Sequence, residues 1–140
     1  MADGTITYEV TDIPDSVTFP PSKVLTFTCT ASAANASFPV TTIDATTIAR
    51  LKSYKLVEAQ TNPGATAPQA LYDITLTNAD GIDLMGGKLA NRSATASEAA
   101  APEVAAGVPW PRPIDGALTL TITGNNVNSA ITVAKFYFER

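Results

Sequence analysis

Apolar and polar residues alternate one by one along much of this chain, which is the pattern of a β-strand with one buried and one solvated face. The clearest case is residues 23–31, where Leu25, Phe27, Cys29 and Ala31 share one side and mostly threonines share the other. The same alternation predicts further strands, and the residues between them predict turns. The strands are expected at 5–10, 54–60, 72–76, 117–123 and 131–139, with short pieces at 82–84 and around Val17 and Phe19, and with turns at 12–15 and 124–126.

Residues 61–87 are the stretch around which the other elements are arranged. Pro63 and Gly64 predict a type II turn, in which glycine supplies the positive φ. After the strand that follows, residues 78–81 (Asn-Ala-Asp-Gly) turn the chain into the short strand at 82–84. The stretch therefore predicts a β-hairpin rather than a catalytic loop.

One short helix interrupts the strands. Asp44 is a good helix N-cap because its carboxylate accepts hydrogen bonds from the unpaired amides of a first turn. A helix over Ala45–Leu51 places Ile48 and Leu51 on one face, three residues apart.

These elements predict an all-β fold. About seven short strands with regularly spaced turns are typical of a β-sandwich, either jelly-roll or immunoglobulin-like. With 140 residues the chain is expected to form a single domain, residues 1–140.

Residues 88–113 break the alternation and are rich in Ala and Pro. Pro102 excludes a helix over 98–106, and residues 109–113 (Pro-Trp-Pro-Arg-Pro) favour polyproline II geometry. So long a segment without regular structure is unusual in a compact domain and is typically functional or disordered. We expect an extended arm here.

Trp110 is the only tryptophan of the chain and lies within this arm. One interpretation is that its side chain folds back over the open end of its own sandwich. The other is that Val108, Trp110 and Arg112 bind a partner, with the indole as the anchor, because aromatic and Arg side chains dominate binding hot spots.

Composition argues against several functions. The net charge is −4, from 9 Lys and Arg against 13 Asp and Glu, and a mildly acidic chain without a basic cluster is a poor nucleic-acid binder. No apolar run is long enough to span a membrane, and the first residues lack the pattern of a secretory signal. There is no histidine, and Cys29 is the only cysteine. No catalytic residue, metal ligand or cofactor is therefore expected, and Asp80 and Asp83 are interpreted as turn residues rather than a calcium site.

The segments TNPGATAPQALYDITLTNADGIDLMGG (61–87) and PRPIDGALTLTITGNNVNSA (111–130) resemble small structural proteins encoded among the virion genes of tailed bacteriophages. The resemblance covers residues 61–130, with Asn62 where the pattern often has Asp. It implies a β-sandwich without catalytic residues, of the kind that decorates (cements) capsids or forms another minor component of the virion. Such a protein is made in the host cytoplasm, binds the major capsid protein at the capsid surface and self-associates. For this chain we expect a homotrimer at a three-fold position of the capsid.

Two other functions compete with this one. The alternative within the same class is a tail-fibre, spike or baseplate module that recognises a host surface. The third is an enzyme such as a polysaccharide lyase or hydrolase, which the absence of histidine and the few carboxylates argue against.

Overall fold

Alternating residues form strands throughout the computed structural model, which describes residues 4–13 and 22–140. Within those ranges there are eleven strands and one helix. Their bounds are β1 Thr5–Ile13, β2 Ser22–Thr30, β3 Thr41–Thr42, α1 Ala45–Leu51, β4 Lys55–Pro63, β5 Asp73–Thr77, β6 Glu98–Ala100, β7 Glu103–Ala105, β8 Val108–Pro109, β9 Arg112–Pro113, β10 Thr119–Thr123 and β11 Ile131–Glu139.

The all-β prediction is confirmed. The six strands of five or more residues correspond to the six longer strands that the alternation predicted. The expected total of about seven is too low, because β3 and β6 to β9 are two or three residues long, too short to show a period. The predicted edge piece at Val17 and Phe19, and Pro14 and Asp15 of the predicted turn, lie outside the described residues. Residues Asp12 and Ile13 of that turn belong to β1 instead.

The larger sheet is antiparallel and has the order β1-β2-β11-β4. The last strand of the chain therefore lies at its centre, hydrogen-bonded to β2 on one side and β4 on the other. The outer edge of β4 is occupied by two short strands, β6 and β9, which pair with different parts of it.

A smaller sheet, β3-β10-β5, packs against the larger one. Buried side chains from both sheets make one continuous core, with Phe27 and Phe136 from the larger sheet in edge-to-face contact at 5.7 Å between ring centroids. Tyr72 and Thr132 are both buried and join across the core through a 2.8 Å bond between their hydroxyl oxygens. This arrangement is a β-sandwich.

The helix is confirmed at the predicted residues. Asp44 caps it, with Oδ1 accepting from the Thr47 amide at 2.8 Å, and Ile48 and Leu51 are buried. Tyr8 ties this cap to β1, because its hydroxyl donates to Asp44 Oδ2 at 2.8 Å.

The predicted turn at Pro63 and Gly64 is wrong. β4 continues to Pro63, which lies opposite Thr132, and the Gly64 amide donates to the Ile131 carbonyl at 2.8 Å. Gly64 does not have a positive φ. Glycine is required there for close approach instead, since a Cβ atom would lie 2.9 Å from Ile131 Cβ.

The predicted hairpin is confirmed only as a turn. Residues 78–81 reverse the chain, with Gly81 at a φ of 80°, but a single bridge between Thr77 and Asp83 replaces the strand expected at 82–84. Asp83 explains the difference, because its carboxylate accepts from the amides of Met85 and Gly87 and bends the chain into a further turn.

Candidate partner-binding surfaces

Residues 88–113 are attached to the larger sheet at two places, near the middle and at the end of the segment. β6 pairs with β4 at Thr61, Gln60 and Ala59, and β9 pairs with it again at Lys55 and Leu56. Between them, β7 and β8 pair with each other. The expected absence of a helix over 98–106 is confirmed. The part of the expected arm between β6 and β9 therefore projects, as a small hairpin rooted on the sheet edge.

The Glu103 residue holds the base of this hairpin. Its amide donates to the Met85 carbonyl at 3.4 Å, and its carboxylate accepts from the Gly107 amide at 2.9 Å and lies 3.4 Å from Lys88 Nζ. Gly86 makes the approach possible, because a Cβ atom there would overlap the Glu103 carbonyl oxygen. The hairpin is thereby fixed to the turn at residues 83–87.

The projecting part of the hairpin is apolar and exposed. All residues from 104 to 111 are exposed. Val104 is 49 % exposed, Val108 46 % and Trp110 61 %, and we call these three side chains the hairpin patch. The Trp110 amide donates to the carbonyl of buried Pro102 at 2.9 Å, so the backbone that carries the indole is fixed.

The structure separates the three residues that the sequence marked for partner binding. Val108 and Trp110 lie in the hairpin patch, and the interpretation of Trp110 as a cover for its own sandwich is wrong, since most of its side chain is exposed. Arg112 is half-buried, and its Nη1 donates to the Glu103 carbonyl at 3.3 Å. The arginine therefore supports the hairpin from within its own chain.

Val104 is the member of the patch that sequence reasoning missed. It lies between Glu103 and three small residues, Ala105, Ala106 and Gly107, so no alternation of apolar and polar residues shows which side it faces. Its one distinguishing signal is that it is β-branched, a residue type enriched in strands, in a segment otherwise made of Ala, Pro, Glu and Gly.

A second surface is the outward side of β1, β2 and β11, which we call the sheet face. Its outward positions carry mostly hydroxyl and aliphatic side chains together with three charged ones, Glu9, Lys135 and Glu139, because the inward positions of all three strands carry the core. Its members include Thr5, Thr7, Glu9, Thr11, Val24, Thr26, Thr28, Thr30, Ile131, Val133, Lys135, Tyr137 and Glu139.

The acidic and cysteine side chains of the described residues form no cluster of metal ligands. Within the described ranges, no three or more His, Cys, Asp or Glu side chains are grouped so as to hold a metal ion, and no helix is long and apolar enough to cross a membrane. Burial raises the pKa of the Cys29 thiol to about 12, which keeps it protonated at neutral pH. Asp80 is exposed at its turn, and Asp83 binds backbone amides.

Comparisons of the chain with protein-family models, with curated proteins and with solved structures gave no match. Its function must therefore be inferred from its residues and their geometry.

Proposed function

We propose that this chain is a structural protein of a bacteriophage virion, and that it decorates the capsid by binding the major capsid protein. Two lines support the proposal. One is the resemblance of residues 61–130 to small virion proteins of tailed phages. The other, which carries it, is the hairpin patch: three large apolar side chains held outside the fold on a rigid base.

The anchoring of the hairpin favours a docking role. An exposed indole costs little conformational entropy on binding when its backbone is already held, and here the Trp110 amide is bonded to Pro102. Prolines 102, 109, 111 and 113 further restrict the segment before any partner is present. Burial of such an aromatic at the centre of an interface commonly contributes about 2–4 kcal/mol.

The patch suits contact with a neighbouring subunit because it is apolar and nearly uncharged. Glu103 is neutralised by Lys88, and the Arg112 guanidinium is bonded within the chain. We propose that several copies, arranged as a homotrimer at a three-fold position of the capsid surface, each place this patch on the major capsid protein and so connect neighbouring capsomers. The protein would be synthesised in the host cytoplasm and act on the virion.

Trp110→Ala tests this proposal. We expect the free energy of unfolding of the free protein to stay within about 0.5 kcal/mol of the parent value, since the side chain is exposed. Its attachment to capsids should weaken by at least about tenfold. Val40→Ala is the matched control, because Val40 is also a large apolar residue, 67 % exposed, but lies outside the hairpin. It should change neither property.

The measurement pairs thermal melting by circular dichroism with retention on purified capsids, expressed per folded molecule. A sharp fall in melting temperature with unchanged retention would make Trp110 a structural residue and defeat the proposal. Binding to a tail or to host cells, but not to heads, would instead favour the tail-fibre, spike or baseplate function.

A further inference from the structure

We propose that the sheet face is a two-fold interface between copies of this chain. The inference concerns a surface distinct from the hairpin patch and does not depend on the proposed capsid role. It comes from the placement of the opposite charges of Glu9 and Lys135 in one row of this face.

The central row of the sheet face contains one acid and one base. Glu9 on β1 and Lys135 on β11 both lie opposite Thr26 of β2, so the three side chains form a row across the sheet. In the described part of the chain, neither charged group has an ion-pair partner. With strands about 4.8 Å apart, the two charges lie about 10 Å from each other on either side of Thr26.

This row is self-complementary. A two-fold axis running along β2, in the plane between two facing sheets, carries the β1 side of one copy onto the β11 side of the other. Glu9 then lies over the second copy's Lys135, and the same pair forms again on the other side of the axis. A two-fold axis across the strands instead puts like charges over each other, so the charges select the first arrangement.

The neighbouring rows fit the same arrangement. The axis places Thr7 over Val133 and Thr11 over Tyr137, so threonine methyl groups meet half-buried apolar side chains. Three nine-residue strands give a footprint of about 400 Å² per copy, at the small end of specific interfaces. We therefore expect a weak, salt-sensitive pair that strengthens when copies are held close together.

Charge reversal tests the arrangement. Glu9→Lys or Lys135→Glu alone places like charges together twice per pair, and each should weaken association by about tenfold or more. The double variant exchanges the two charges and should restore association. The controls are Asp80→Lys and Lys52→Glu, which make the same changes of charge at exposed positions away from the sheet face.

Formation of a dimer, distinguished by its mass from a trimer, is measured by sedimentation equilibrium at low and high salt, in the parent chain and again with Trp110→Ala. Survival of the charge effects in the Trp110→Ala chain shows that the sheet face acts independently of the hairpin. The proposal is overturned if the parent forms no dimer up to about 1 mM, where even the weak affinity expected here would be detected. It is also overturned if the single reversals behave like their controls, or if the double variant associates no better than the single ones.

Discussion

Substituting Gly86 by alanine tests whether the hairpin is fixed to the body of the protein. Gly86 and Gly87 are neighbours with similar left-handed backbones, φ being 63° and 82°. Only Gly86 is crowded: a Cβ atom there overlaps the carbonyl oxygen of Glu103, whereas one at Gly87 meets nothing within 4 Å. Gly87→Ala is therefore a control that carries the backbone strain without the overlap.

The loss of stability from backbone strain can be separated from the loss caused by the overlap with Glu103. Alanine in a left-handed conformation costs about 1–2 kcal/mol, and both variants bear this. In Gly86→Ala, Glu103 must also move, which breaks the bond from its amide to the Met85 carbonyl and its ion pair with Lys88. A neutral hydrogen bond contributes about 1 kcal/mol and an exposed ion pair up to about 1 kcal/mol, so Gly86→Ala should lose about 1–2 kcal/mol more than its neighbour.

Urea unfolding followed by circular dichroism gives the free energy of unfolding of both variants. Amide hydrogen exchange at Trp110, whose N–H is bonded to Pro102, reports the hairpin itself and should accelerate only in Gly86→Ala. Equal losses of stability in the two variants, with unchanged exchange at Trp110, would show that Glu103 does not hold the hairpin against residues 83–87.

Three further predictions concern the body of the fold. Tyr72→Phe removes the buried hydroxyl bonded to Thr132 and should lower the free energy of unfolding by about 1 kcal/mol in urea, and an unchanged midpoint would contradict the bond. Hydrogen bonds from the Thr47 amide and Tyr8 lower the pKa of Asp44 below its ordinary 3.8. The Asp44 carboxylate therefore contributes fully to the stability of the fold above the ordinary pKa, and this contribution is lost as the pH falls through the lowered pKa. The melting temperature should accordingly fall less on acidification for Asp44→Asn than for the parent. An equal fall in the two proteins would refute this. Cys29, fully buried with its pKa raised to about 12, should react with a thiol reagent only after unfolding in denaturant, and rapid reaction of the native chain would refute its burial.

The regular part of the fold was predictable because its signals are local. Alternation assigned Leu25, Phe27 and Cys29 to the core, and Asp44 marked the beginning of the helix. These features depend on residues within a few positions of one another, where propensity and periodicity act.

The failures arise where distant residues decide the conformation. Gly64 looks like a turn residue, but it is required by the close approach of Ile131, which is far along the chain. The contact of the Arg112 guanidinium with the Glu103 carbonyl was likewise not visible in the sequence, and the role of Arg112 in binding a partner stays a prediction. The strands β6 and β9 form because the edge of β4 is available to them, and their own two or three residues cannot indicate that.

The sheet face shows a different limit of sequence reasoning. Glu9 and Lys135 are separated by almost the whole chain, and only the antiparallel register places both beside Thr26. Strand order is set by long-range pairing, which periodicity does not encode.

The most direct test of the central claim, attachment to the virion through the hairpin patch, is an image reconstruction of phage particles that carry a label on this protein. Particles with the parent chain and with Trp110→Ala should be compared. We predict label density at three-fold positions on the head surface, with the hairpin directed at the capsid, and its loss in the Trp110→Ala particles. Label confined to the tail, or head density unchanged by the substitution, would contradict the account.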